Sequence, residues 1–166
     1  RLLQGLLHNQ RAVADAQRMR QACEILSAVN SQGKFTAATM ALCNEIAAAY
    51  QADRVSFGLL RGRYVKVKAI SHTERIKRHM ALVQDIEGAM EECLDQDVEV
   101  IIPAGPNDDY VCRAHEKLAH THGAGALASW PIRVGGETVG VLTIERPPDR
   151  PFDPQEVQSL RLTCDL

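Results

Sequence analysis

Hydrophobic residues recur along the chain either every three to four positions or every second position, and these periods predict helices and strands respectively. The helical period covers five segments: 1–30, 36–51, 79–96, 110–121 and a terminal segment from 154 onward. The two-residue period covers five others: 54–60, 63–70, 98–102, 126–134 and 137–146. This order lacks the regular strand–helix alternation of a Rossmann fold. The sequence therefore predicts an α+β fold with a central, mainly antiparallel sheet flanked by helices.

Glycine and proline residues divide these elements at defined points. Gly135–Gly136 supplies the positive φ angles of a two-residue hairpin turn, and Arg61–Gly62 predicts a second tight turn. Asp153 followed by Pro154 predicts a capped helix start. Gly33, after a polar run, predicts the end of the first helix. We therefore expect a linker or dimerisation helix over 1–32 and one domain over 33–166.

The first predicted helix carries a continuous apolar stripe that includes Leu6 and Val13. Such a stripe must be buried against the domain or against a second copy of the chain. We expect a homodimer through the helices at 1–30 and 155–166. The chain begins at Arg1 rather than Met and stops at Leu166 within a helical pattern. We therefore also expect it to be a piece of a longer protein with neighbouring domains.

The composition narrows the class of protein. The 166 residues are 45% hydrophobic and 24% charged, as in a soluble globular domain. Nineteen basic against 21 acidic residues give a net charge of -2, which argues against nucleic acid as a partner. No apolar stretch approaches the roughly 18 residues of a membrane-spanning helix, so we expect no direct membrane insertion. Five dispersed cysteines without a Cys-x-x-Cys pair favour a reducing cytoplasm, with no disulfide or metal site.

The last part of the chain resembles the end of a GAF domain. The resemblance rests on the segment from Ser129 to Glu145, with its proline, Gly–Gly hairpin and Gly-Val-Leu strand, followed by Phe152-Asp-Pro-Gln-Glu156 and a helix. It implies a PAS-like antiparallel sheet, dimerising helices on one side and a small-molecule pocket enclosed by loops on the other. Function must still be argued from the site.

The family includes several kinds of binding site, and the sequence departs from each. The positions of the cyclic-nucleotide motif are occupied here by Glu145–Arg146, Phe152 and Glu156–Val157, and of these only Phe152 is retained. Tetrapyrrole-binding relatives attach their chromophore through a cysteine directly before a histidine, whereas Ala114 precedes His115 here and Cys112 is three positions away. Methionine sulfoxide reductase-like relatives use paired cysteines, for which Cys93 and Cys112 are the candidates. Neither of these lies in a glycine-rich loop, so we expect no catalytic residue and no cofactor.

Polar residues gather in two segments, 71–79 and 107–122, where hydrophobic periodicity is interrupted. We predict a ligand site between these segments and the sheet, lined by Ser71, His72, Arg75, Arg113 and His115. His115, His120 and His122 are not spaced as zinc ligands on a helix, so we expect solvated surface histidines and no metal site.

These observations predict a non-catalytic sensory or regulatory domain that binds an unknown small molecule. The run from Val67 to Glu74, together with 87–96, resembles GAF domains joined to membrane-fusion subunits of bacterial HlyD-type export systems. That resemblance implies a cytoplasmic regulator of an exporter, with a sensor histidine kinase or diguanylate cyclase as the rival context. A ligand-free dimerisation module is the alternative function.

Overall fold

The structure, a computed structural model, describes residues 32–165. Its elements in chain order are α1 (Gln32–Ala49), β1 (Arg54–Arg61), β2 (Tyr64–Ile70), α2 (Ala81–Gln96), β3 (Val100–Ile102), α3 (Arg113–His122), β4 (Ala126–Val134), β5 (Glu137–Arg146) and α4 (Pro154–Cys164). The predicted helix over 1–30 lies outside the described residues. So does nearly all of the predicted segment 1–32 that precedes the domain. None of the described helices is long and apolar enough to cross a membrane.

The five strands form one sheet in the order β2-β1-β5-β4-β3, and every neighbouring pair is antiparallel. Two hairpins supply four of the strands, and β1 joins them by pairing with β5 from Arg54–Glu145 to Leu59–Gly140. The predicted α+β class with an antiparallel sheet is confirmed.

Helices cover both faces of the sheet because side chains alternate between the faces along each strand. On one face, α1 and α4 pack against the sheet, with Cys43 and Leu160 in a cluster around Trp130. On the other face, α2 and α3 pack against it through Ile86, Met90, Leu118 and other buried apolar residues. The space between the sheet and α2 and α3 is thus filled by core side chains.

The turn and cap predictions are confirmed where glycine or aspartate decides the local geometry. Gly135 and Gly136 have φ angles of 59° and 86°. Asp153 accepts a hydrogen bond from the backbone N–H of Glu156, whose side chain accepts from the N–H of Asp153 in return. The turn predicted at Arg61–Gly62 is displaced by one residue. Arg61 is still paired as the last residue of β1, and Gly62, with φ 65°, is the first residue of the turn.

Three local predictions are wrong. Gly33 does not end a helix, since it lies within α1. Tyr110 precedes α3 and instead exchanges hydrogen bonds with the backbone of Ile101 in β3, at 3.2 and 2.7 Å. The helical period from 154 onward also predicts an apolar side formed by Val157, Leu160 and Leu162, but Leu162 is 61% exposed, because two residues along a helix turn its side chain away from Leu160.

Side chains cover the edges of the sheet. Glu87 and Glu91, one turn apart on α2, accept hydrogen bonds from the backbone N–H groups of Val67 and Val65 at 3.1 Å each. Unpaired edge N–H groups invite pairing with another strand, so these carboxylates protect β2. Tyr110 has the corresponding role at β3. Both contacts also fix α2 and the segment before α3 to the sheet.

Candidate functional site

An open groove of about 810 Å³ lies at the β2 edge of the sheet, beside the first turns of α1. Its walls come from four parts of the chain: α1, the end of β1, β2, and the segment between β2 and α2. The apolar lining residues are Phe35, Met40, Leu59, Val67, Ala69 and Ile76. We refer to these six residues as the apolar floor, and an open groove of this size with such a lining is suited to a small organic ligand.

The rim of the groove is predominantly cationic. Arg61, Lys66, Lys68 and Arg78 contribute to its lining, against a single carboxylate from Glu74. Lys66 already has a partner, since its ammonium lies 3.1 Å from Glu87. Among the described residues, the other three cations lie within ion-pair distance of no carboxylate. The groove therefore carries an excess of positive charge.

Lys68 owes its position to a β-bulge. Phe57 of β1 pairs with Ala69, and the next residue, Gly58, pairs with Val67, so Lys68 is the extra residue of β2. Partial burial lowers the pKa of Lys68 from its ordinary value, the like charges of Arg61 and Arg78 lower it further, and the carboxylate of Glu87 opposes the shift. Arg61 and Arg78 thus each repel Lys68, and an anion bound beside these groups would reduce that repulsion.

A chain of hydrogen bonds lies on the α2 and α3 side of the sheet. His115 is 0% exposed, with Nδ1 at 2.7 Å from Glu92 Oε2 and Nε2 at 2.8 Å from Ser129 Oγ. Ser129 Oγ lies 2.8 Å from Thr143 Oγ1. Glu92 also accepts the backbone N–H groups of Ala114 and His115. These hydrogen bonds therefore link α2 and the start of α3 to β4 and β5.

The order Glu92, His115, Ser129 is that of an acid–base–nucleophile triad, but the environment does not suit catalysis. Burial lowers the pKa of His115 although the hydrogen bond to Glu92 opposes this, so the ring is neutral at pH 7. A neutral ring donates from Nδ1 to Glu92 and accepts at Nε2 from the Ser129 hydroxyl. Ser129 is itself 0% exposed, so a substrate has no access to its oxygen. The array is a structural network.

The structure does not bring the five predicted ligand residues together in the groove. Ser71 is buried, and its hydroxyl accepts the backbone N–H of Val55 at 2.9 Å. His72 is exposed with φ 58°, and its N–H donates to Asn44. Arg75 and Arg113 are exposed, on different elements. None of the five lines the groove, although the predicted segment 71–79 contributes four other residues to it: Thr73, Glu74, Ile76 and Arg78.

The prediction that the three histidines of α3 are solvated is wrong for His115 and holds for His120, which is exposed. His122 has a side chain only 18% exposed and lies 3.0 Å from Asp85, which also binds Lys117. Helical spacing of five places His115 and His120 on different sides, as expected, but it did not show which side packs on the sheet.

The described cysteines are free thiols, and three of them, Cys43, Cys93 and Cys112, lie in environments that disfavour the thiolate. Burial raises the pKa of Cys43 to about 12 and that of Cys93 to about 12. Partial burial also raises the pKa of Cys112, as does the neighbouring carboxylate of Glu116, 3.6 Å from its sulfur. Thiol chemistry requires the opposite, a lowered pKa and access to solvent.

The residues at the positions of the cyclic-nucleotide motif form a structural ion pair. Arg146, only 3% exposed, donates from both terminal nitrogens to Glu156 at 2.8 Å. Its guanidinium also lies 4.4 Å from the ring centroid of Phe152, which packs edge-on against Trp130. These contacts hold the start of α4 to the end of β5, so the motif positions support packing.

With the sheet order, the helices on both faces and the terminal hairpin established, the family follows. The GAF domain model matches residues 36–166, and the chain belongs to the GAF domain family. No curated protein matches this chain.

Solved structures show the same fold at low sequence identity. One is the phycocyanobilin-bound GAF domain from a cyanobacterial phytochrome, with 18% identity, a TM-score of 0.58 and coverage of 89% of this chain and 88% of that one. Another is the GAF domain from Acinetobacter phosphoenolpyruvate-protein phosphotransferase, at 15% identity, TM-score 0.57 and coverage of 91% and 88%. A third is the type II free methionine-R-sulfoxide reductase from Thermoplasma acidophilum, at 16% identity, TM-score 0.55 and coverage of 81% and 90%.

Sequence reasoning missed the residues that define both polar regions. Glu92, Ser129 and Thr143 lie in regular elements where their hydroxyl or carboxylate groups looked like ordinary surface or strand positions. Arg78 lies inside the predicted polar segment 71–79 and Lys68 lies just before it, so that segment pointed to the right part of the chain. In the sequence, Tyr64, Lys66 and Lys68 alternate with apolar residues along the second predicted strand, and this alternation predicts only a solvated strand face.

Proposed function

We propose that this chain is a non-catalytic sensory or regulatory GAF domain that binds a small organic molecule in the groove at the β2 edge. The observation that carries the proposal is the groove itself, about 810 Å³ with an apolar floor and a charged rim. Family membership supports a regulatory role, because GAF domains are typically small-molecule-binding regulatory domains. The ligand itself is part of the proposal.

The position of the groove provides a route from ligand binding to a change in the rest of the protein. Phe35, Thr36 and Met40 belong to α1, the helix that follows segment 1–31 in the chain. A ligand that contacts α1 and the segment 71–79 together would favour one arrangement of the two over others. By linkage, the ligand shifts the population of conformations only by its difference in affinity between them.

A thiol-dependent reductase is the enzyme alternative, since two free methionine-R-sulfoxide reductases are among the structural neighbours at 16% identity. The raised pKa values of Cys43, Cys93 and Cys112 favour the non-catalytic proposal. Incubating the protein with free methionine sulfoxide and a dithiol reductant is the direct assay. Sustained production of methionine that is lost in a Cys112→Ser variant would contradict the proposal.

The experiment that tests ligand binding combines two measurements on the 166-residue chain. Native mass spectrometry of freshly purified protein, compared with its denatured mass, detects a retained small molecule. A thermal-shift screen of metabolites then detects ligands that were lost during purification, because a ligand that binds only the folded state raises the melting temperature. A ligand-free dimerisation module would show neither a retained mass nor any specific shift.

Dimerisation through the terminal helices belongs to the same proposal. Leu162 of α4 is 61% exposed, which leaves an apolar side chain available for a partner. Replacing Leu6 and Val13 by aspartate would bury charge in the predicted seam and should produce folded monomers. Gln4→Asp and His8→Asp, on the opposite side of the predicted helix, are the control. Unchanged mass in analytical ultracentrifugation for the seam variant would contradict the dimer.

The sequence resemblance to GAF domains of HlyD-type export proteins extends the proposal to a cytoplasmic regulator of an exporter. The domain order of the full-length protein tests this point. A membrane-fusion domain of this type in the same chain would support it. A histidine kinase or diguanylate cyclase domain there would replace the exporter with a signalling context and leave the sensory role intact.

A further inference from the structure

We infer that the groove selects a small organic anion with an apolar body, held by Arg61, Lys68 and Arg78. This inference rests on the proposed function and names the ligand class for the same groove. It is carried by three lining cations that form an ion pair with no described carboxylate and that lie in the same groove as the apolar floor. A neutral or cationic ligand would leave their mutual repulsion in place, whereas an anion removes it.

The apolar part of the site consists of partly buried side chains that also pack against the hydrophobic core. Phe35, Met40 and Leu59 pack against the cluster between α1 and the sheet, and Phe35 also lies edge-on to Phe57 with ring centroids 6.3 Å apart. Ile76 approaches from the segment before α2 and packs against the other core cluster. An alkyl or aryl body lying on this floor would bury apolar surface that is otherwise wet.

The cationic half is placed by local backbone geometry rather than by flexible loops alone. The bulge leaves Lys68 without a pairing partner on β1. Arg61 ends β1 directly before the turn at Gly62. Arg78 comes from the segment between β2 and α2. Three cations from three elements converge on the groove, as expected for recognition of a carboxylate or phosphate.

Charge also argues against the preceding segment of the chain as the occupant. Segment 1–31 contains four arginines against one aspartate and one glutamate, so it is itself basic. A basic segment does not complement a basic groove. A diffusible anion does.

The test uses the 166-residue chain and three probes measured by isothermal titration calorimetry at low salt. Decanoate carries both an anionic group and an apolar body, decanol carries only the apolar body, and inorganic phosphate carries only the anion. Decanoate should bind most tightly, and its affinity should fall as salt is added because the groove is open to solvent. Backbone amide shifts in nitrogen-labelled protein should change at β2 and 73–78.

Single substitutions give the decisive comparison. Lys68→Gln and Arg78→Gln should each weaken decanoate binding by about tenfold, the usual effect of losing one charged hydrogen-bond partner. Glu74→Gln should strengthen it, because the variant removes the only carboxylate in the lining. Arg113→Gln is the matched control, since it removes the same charge from an exposed position of α3 outside the groove and should leave binding unchanged. Melting curves confirm that each variant is folded.

Several results would overturn the inference. Equal binding of decanol and decanoate would show that the cations do not select the ligand, and equal binding of phosphate and decanoate would show that the apolar floor does not. Equal weakening by Arg113→Gln and Lys68→Gln would place the effect outside the groove. If decanoate fails while the metabolite screen finds a neutral or cationic ligand, the anion inference is wrong and the proposed function stands. If neither experiment finds a ligand, both are wrong.

Discussion

Replacing His115 by alanine tests whether the buried hydrogen-bond chain holds α3 to the sheet. The variant loses the 2.7 Å bond to Glu92 and the 2.8 Å bond to Ser129, and it leaves a cavity where a fully buried ring was packed. The bond to a carboxylate contributes about 1.5 to 3 kcal/mol and the bond to a hydroxyl about 1 kcal/mol. With the cavity added, we expect the free energy of unfolding to fall by about 3 to 5 kcal/mol.

The measurement is urea denaturation at pH 7.5 followed by circular dichroism. With an m-value of about 1 to 3 kcal/mol per molar urea, this loss would lower the midpoint by more than about 1 M. His120→Ala is the matched control, because the same substitution on the same helix removes an exposed ring and should change stability by less than about 0.5 kcal/mol.

A loss below about 1 kcal/mol for His115→Ala would refute the reasoning, because it is smaller than the two hydrogen bonds alone. If that variant does not fold, Ser129→Ala gives a milder perturbation. It removes the hydroxyl that joins His115 to Thr143, and it should cost about 1 kcal/mol while leaving the ring and its bond to Glu92 in place. Equal stability of Ser129→Ala and the unchanged protein would then contradict the network.

Three further predictions follow from individual contacts. Burial holds the pKa of His115 below its ordinary value of 6.5 although Glu92 faces the ring, so in mild acid the unfolded state binds a proton that the folded state does not. Stability should therefore fall as the pH drops below about 6.5. His115→Gln should flatten this pH dependence in urea titrations. Gly58→Ala should lower the free energy of unfolding by about 1 to 3 kcal/mol, because the added Cβ would lie 2.6 Å from the sulfur of Met90. Gly88→Ala should be neutral or stabilising, because a Cβ there meets nothing within 4 Å. Thermal melts that rank the two variants the other way would contradict this packing. Cys112, with its raised pKa, should react with iodoacetamide at pH 7.5 more slowly than free cysteine, and peptide mass spectrometry showing faster alkylation would contradict this.

Local patterns in the sequence were sufficient for most of the fold. Periodicity located the described helices and strands because each element buries one face, and burial repeats with the geometry of the element. Gly135–Gly136 and Asp153–Pro154 marked their turn and cap because positive φ angles and unpaired N–H groups require particular residue types. The same terminal hairpin carried the resemblance to the GAF family, which the family match over 36–166 confirmed.

The candidate sites depended on contacts between residues far apart in the chain. His115 meets Glu92 and Ser129 across separations of 23 and 14 residues, so its burial is decided by how α3 packs and not by its own neighbours. The predicted ligand residue Ser71 likewise became part of the backbone pairing with Val55. Polar residue type identifies a group that needs a partner, but the partner is chosen by packing.

The groove shows the same division between sequence and tertiary structure. The interruption of periodicity over 71–79 was visible in the sequence, because loops near an open site do not need a continuous apolar face. The group of cations that line the groove could not be predicted from the sequence, because Arg61 and Lys68 lie on different strands and come together only through the hairpin and its bulge. The chain's own pattern thus determined which elements form, while the pairing of β2 and the packing of α1 decided where a ligand would bind.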